Sequence, residues 1–278
     1  MTAELVTHAM RAAVLFLTIV CAYGQTRSNS TDLNALIEEG KASLAQNRLH
    51  EAIERFQKAV DLNPSSAEAH EGLGMALSRE VMADNVRPSN DLDVAKRAES
   101  HLKQAIDLSP SAPAPLIQLS TLEATLAERA IDASERSDRY RDARDSLKRV
   151  MDLQPGNARL YLHLANLERD EFALPIQQAK ARFGKDAGPI SDANLRNALQ
   201  KQYGGLIKEA IANAKRASEL NGRSSQPLLL LSKILRERAL IRNTPEQYTA
   251  DMRSADQWRL QFLAVGGHLD QEESAVDH

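Results

Sequence analysis

From Asp32 onward, apolar residues recur three and four positions apart, the spacing of a helix buried along one side. Thr31 or Asp32 offers the short side-chain oxygen that satisfies an orphan N–H at the start of a first helix. A second helix is predicted from Glu51 to Pro64, with Ala52, Phe56, Ala59 and Val60 on one face. Pro64 ends it, because the residue before a proline disfavours the α region. The same phrase returns three times: with Ala98, Leu102, Ala105 and Pro110, with Ala143, Leu147 and Pro155, and with Ala210, Ala214 and Ala217, where Gly222 replaces the proline. Between these copies lie other helical stretches carrying large and small residues in turn: Leu36 and Gly40; Leu73, Gly74 and Leu77; Leu116, Leu119 and Ser120; Tyr161, Leu164 and Ala165; Leu228, Leu231, Ser232 and Leu235. A last helix, from about Glu246 to Val265, carries Tyr248, Ala255, Trp258 and Phe262 before Gly266 and Gly267 end it.

The spacing of Ala52, Phe56, Ala59 and Pro64, repeated down the chain, resembles the second helix of a tetratricopeptide repeat. That resemblance implies an all-α fold, an α-solenoid of about five helix-turn-helix hairpins over residues 32–266. Small residues where helices cross let the backbones approach, and the larger ones fill the gaps between.

The repeats are longer than the family's 34 or so residues. Pro64 and Pro110 lie 46 positions apart, Pro110 and Pro155 lie 45 apart, and Pro155 and Gly222 lie 67 apart. Each excess falls between the first and second helix of its repeat, so lengthened hairpins are predicted in repeats two to four. Twelve extra residues shared by two helices add about 9 Å at 1.5 Å per residue. Pro88 and Asn90 are expected to mark the turn in repeat two, and Gly184, Gly188 and Pro189 the turn in repeat four.

Ahead of the repeats, Arg11 precedes the apolar run Ala12–Ala22, and Ala22-Tyr23-Gly24 places small residues at the −3 and −1 positions before Gln25. This is the layout of a secretory signal peptide over residues 1–24. The run is too short for the roughly 20 residues of a membrane span. An exported protein, periplasmic or secreted, is expected, with an uncleaved membrane anchor as the alternative. Residues 25–31 form a polar spacer, and residues 267–278 an acidic tail without periodicity, expected to be flexible.

Composition narrows the chemistry. Net charge is −3, so the basic surplus that replaces counterions on nucleic acid is missing, and no nucleic-acid partner is expected. Cys21, in the signal segment, is the single cysteine, which excludes disulfides and cysteine nucleophiles in the remainder. The seven histidines show no metal-site spacing, and no metal or other cofactor is expected. His70 stands at a large-residue position and reads as a packing residue, His163 as a surface or groove residue. Gly204 and Gly205 read as a helix break. Between Arg129 and Arg149, acidic residues interleave with arginines, the pattern of a solvated face with weak ion pairs.

In the tetratricopeptide family the first helices line a concave groove. The resemblance implies that Asn34, Ile37, Lys41, Glu71, Met75, Ile117, Thr121, Arg159, Leu162, Asn166, Arg169, Leu229, Lys233 and Arg236 face it. Arginine and lysine gather toward its C-terminal end, which suits a peptide carrying acidic groups. Ile37 and Met75 occupy two positions at which the family's chaperone-tail clamp has Lys and Asn, so that specialisation is not implied. The expected function is non-catalytic: a scaffold or adaptor for a protein or peptide partner. A small-ligand binder or enzyme using the groove, and a self-associating structural protein, are the alternatives.

Overall fold

The computed structural model describes residues 32–83, 88–183 and 188–266. The expected signal segment, spacer and acidic tail, and Gly184 of the expected turn, lie outside them. The described residues are helical, in hairpins, with no strand among them. Helix α1 covers residues 32–45. It is followed by α2 (Leu49–Leu62), α3 (Ala67–Ala83), α4 (Pro88–Leu108), α5 (Pro113–Arg129), α6 (Ala133–Leu153), α7 (Ala158–Phe183), α8 (Ala193–Leu220), α9 (Gln226–Leu240) and α10 (Pro245–Ala264). The chain divides into two compact units, the first ending at Gln118 and the second beginning at Leu119, within α5.

The expected excess length appears as helix. Helices α4 and α6 each have 21 residues against 14 in α2, while α7 has 26 and α8 has 28. Pro88 and Asn90 do not form a turn: they lie in the first turn of α4. A proline fits there because the first N–H groups of a helix have no partner inside it. Gly188 and Pro189 do lie in the α7–α8 connection, and Gly188 takes a φ of +130°, open to glycine alone at little cost. That connection is held down at Ile190, whose side chain is fully buried and whose N–H donates to the Leu240 carbonyl at 2.8 Å. Gly204 and Gly205 do not break a helix either; both lie inside α8. Leu199, Tyr203, Ile207 and Ala210 bury one side of that helix, which outweighs about 1 kcal/mol of lost propensity at each glycine.

Helix α7 contains Pro175. Ala158 to Leu174 spans 17 residues, the length of α3 and of α5, so the proline stands where the extra length of α7 begins. Lacking an N–H, it leaves the carbonyl four residues earlier without its usual donor.

In the first unit α3 packs against α2 and α4, and Phe56, Leu73, Leu77, Leu102 and Leu116 are buried almost completely. In the second unit α7, α8 and α9 share a core of Phe172, Ile176, Ile190, Ile207, Leu231 and Ile234. Trp258 of α10 lies partly buried against it, and Ala255 and Phe262 are buried. Asp132, Asp192 and Thr244 cap α6, α8 and α10, each accepting from a backbone N–H in the first turn.

Candidate binding cleft

In the first unit, Glu68, Glu71, Gly72 and Met75 stand at i, i+3, i+4 and i+7 on α3 and so share one helix face. Lys41 and Leu44 of α1 face them. Together with Phe56 of α2, with Ala105 and Ser109 at the end of α4, and with Ala112 and Pro115 at the start of α5, they enclose a cleft of about 410 Å³. Two glycines shape it. A Cβ at Gly40 would stand 2.8 Å from Cζ of Phe56, and one at Gly72 would stand 2.2 Å from Cε1 of the same ring. The phenyl ring is therefore held against bare backbone at both positions, and it closes the floor of the cleft.

The charges on its walls are unequal. Lys41 Nζ donates to Glu38 Oε1 at 2.8 Å and to Glu68 Oε1 at 2.5 Å, and these bonds push the ammonium's pKa upward. The Glu71 side chain, half-buried one turn along α3 from Glu68, makes no hydrogen bond among the described residues. Burial first, and the neighbouring Glu68 second, push its carboxyl above the usual range, with Lys41 opposing them.

The residues singled out in the sequence fall in four places. Lys41, Glu71 and Met75 line the cleft. Asn34 is exposed on α1, while Ile117 and Thr121 are half-buried on α5. Ile37 is 3 % exposed and belongs to the core, which corrects its expected place on an accessible surface. Its apolar side chain is one turn from Lys41 and packs inward, as hydrophobic burial favours. In the second unit Arg159 is exposed, and Leu162, Asn166, Arg169, Leu229, Lys233 and Arg236 are half-buried on α7 and α9.

Three basic residues of the second unit, Arg169, Lys233 and Arg236, already have acidic neighbours. Arg169 Nε donates to Glu237 Oε2 at 3.1 Å, its Nη1 lies 3.5 Å from Asp170, and Gln177 Nε2 donates to Glu237 Oε1 at 3.3 Å. Arg236 donates to Asp256 at 2.7 Å, and Lys233 lowers the pKa of Asp170 against the larger upward effect of burial. Asn166 Nδ2 donates to the Leu162 carbonyl at 2.9 Å. An acidic ligand here would have to displace carboxylates that the chain itself supplies.

Buried carboxylates are what the sequence reading passed over. Glu123, Glu168, Glu237 and Asp251 are all at least nine-tenths buried. Glu168 accepts from Asn213 Nδ2 at 2.9 and 3.0 Å, and burial pushes its pKa up to about 7. Arg139, expected on a solvated face, instead pairs with Glu123 at 2.8 Å, and Arg144 pairs with Glu171. A signal for two of these carboxylates was present: Glu123 and Glu168 follow Leu119-Ser120 and Leu164-Ala165 at the distance where Leu77 follows Leu73-Gly74. A carboxylate in a register otherwise filled by leucine faces the core and has to find a donor there.

His70 is buried as the sequence predicts. Its Nε2 lies 3.0 Å from the Pro64 carbonyl and its Nδ1 lies 2.9 Å from Nδ1 of His101, with the two rings stacked at 5.1 Å. His163 is half-buried. Among the described residues no three His, Cys, Asp or Glu side chains are grouped to hold a metal ion, and no helix is long and apolar enough to cross a membrane.

A family model described as "TPR repeat" matches residues 40–79, which span the end of α1, all of α2 and most of α3. The fold is that of tetratricopeptide solenoids: a crystal structure of MamA protein superposes with a TM-score of 0.52 at 12 % identity, over 87 % of this chain and 99 % of that one. MamA from Desulfovibrio magneticus RS-1, from residue 41 to its end, gives 0.53 at 12 % identity, over 89 % of this chain and 98 % of that one. Together these findings support a TPR protein. No curated protein matches the sequence. The matched segment carries Lys41, Leu44, Phe56, Ala67, Glu68, Glu71, Gly72 and Met75, eight of the residues around the cleft.

Proposed function

We propose that the chain is a non-catalytic, exported TPR scaffold that holds a segment of a partner protein in the cleft of its first unit. The cleft carries this reading: about 410 Å³ is within the range of pockets that hold ligands, and its walls combine apolar floor with a few charged groups. Lys41, Glu71 and Met75, which the resemblance to tetratricopeptide repeats implies for a groove, all line it. The export part of the proposal rests on the layout of residues 1–24, with the mature chain beginning at Gln25.

Affinity capture tests it. Residues 25–278, which contain every described helix, serve as bait beside the variants Met75→Ser and Leu229→Ser, after circular dichroism shows that each variant folds. A partner caught by the unaltered chain and lost with Met75→Ser supports binding in the first unit's cleft. A partner unaffected by Met75→Ser and lost with Leu229→Ser moves the site to the second unit and overturns the proposal. Sequencing the N-terminus of the protein recovered from its source tests export, and a first residue other than Gln25 overturns the proposed cleavage site.

A further inference from the structure

We infer that the cleft of the first unit selects a peptide bearing a lysine or arginine, its cation seated against Glu71 and Glu68 and its neighbours on the apolar floor. The inference rests on the reading of the cleft as a peptide site and adds the class of side chain that it takes.

Charge counting within the cleft leads to it. Among the described residues of the walls Lys41 is the single cation, against Glu68 and Glu71. That cation is already engaged by Glu38 and Glu68, both within 2.8 Å, so it has little to offer an incoming carboxylate. Among the described residues the half-buried Glu71 side chain has no donor, and a half-buried carboxylate that has lost water without gaining a partner is costly. An incoming ammonium or guanidinium supplies the missing donors through a charge-assisted hydrogen bond. An acidic group would instead meet two carboxylates, and like charges so placed repel.

The remaining lining suits the rest of such a peptide. Half-buried Met75, backed by the buried Leu44, Phe56 and Pro115, makes the lining apolar where the methylene stem of a lysine or arginine and flanking apolar residues would lie. Met75 adapts to varied shapes, being unbranched and polarizable. Gly72, one residue after Glu71, brings backbone rather than side chain to the wall and leaves the approach to that carboxylate open.

The test is to pan a phage-displayed library of random seven-residue peptides on residues 25–278 and to measure the selected peptides by fluorescence anisotropy. Binders should share one Lys or Arg with apolar neighbours. Glu71→Gln, which keeps the shape of the side chain, should weaken them about tenfold or more. Norleucine in place of the peptide's lysine should weaken them similarly, and the two changes together should cost little more than either one alone. Panning on Glu71→Arg should turn the selected charge from basic to acidic. Binders that are lost with Met75→Ser but carry acidic groups, or no preferred charge, would leave the cleft a peptide site and overturn this inference alone. Selected peptides that bind as well to Met75→Ser and Glu71→Gln as to the unaltered chain would overturn both.

Discussion

Gly72 and Phe56 are in backbone-to-ring contact: a Cβ on Gly72 would stand 2.2 Å from Cε1 of the phenyl ring. Alanine in a helix is normally about 1 kcal/mol better than glycine. Here that gain is overwhelmed, because the ring is 1 % exposed and is also confined by Gly40. Gly72→Ala is expected to destabilise the protein by about 1–3 kcal/mol through overpacking. Adding Phe56→Leu should return part of that loss. Urea midpoints for the single and double variants check both expectations, and a Gly72→Ala protein more stable than its parent would contradict the contact.

Gly204 and Gly205 should behave in the opposite way. Both are exposed inside α8, and a Cβ at either meets nothing within 4 Å. Replacing each by alanine is expected to stabilise the protein by about 0.5–1 kcal/mol, since only the unfolded chain loses freedom. The same denaturation measurement decides it.

Glu168 predicts a pH dependence. Its folded pKa of about 7 is raised above the usual carboxyl value, chiefly by burial and secondarily by Glu209, against the Asn213 hydrogen bond, Lys148 and Arg144. For a raised acid the penalty is fully present above the folded pKa and is relieved as pH falls from 7 toward the unfolded value of about 4.3. Glu168→Gln retains an acceptor for Asn213 and removes the charge. It should stabilise the protein at pH 8 by about 1–3 kcal/mol and have a much smaller effect at pH 5. Thermal melts at the two pH values measure the difference.

The His70–His101 pair carries the reverse sign. Burial, then His70 and Arg97, lowers the pKa of His101. Stability from this group is present above the unfolded value of about 6.5 and is lost as pH falls below it. If His70 donates from Nε2 to the Pro64 carbonyl, its Nδ1 accepts from the Nδ1–H of His101, 2.9 Å away. Imidazole titration by NMR should place His101 below about 6.5. A normal or raised value would exclude this arrangement.

The helices and their faces were legible in the sequence because a four-fold repeat of one phrase fixes both the period and the buried side. Ala52, Phe56, Ala59 and Val60 are all buried as that pattern requires. Less legible were positions where a local rule gave way to packing. Gly204 and Gly205 resemble a break, yet the buried side of α8 carries the helix through them. Ile37 follows the family's groove register but is drawn into the core. The cleft was half legible: Lys41, Glu71 and Met75 follow from the repeat, whereas the engagement of Lys41 by Glu38 and Glu68 depends on how α1 meets α3. The sequence alone counts charges, and only geometry shows which are already answered.

Among the described residues, most helix packings join neighbours along the chain, with α7 against α9 and the Lys41–Glu68 contact of α1 with α3 reaching two steps. Little loop entropy has to be lost before such contacts form, which is the regime in which ordering is rapid. Each hairpin can close as soon as its own two helices exist, without waiting for the distant end of the polypeptide.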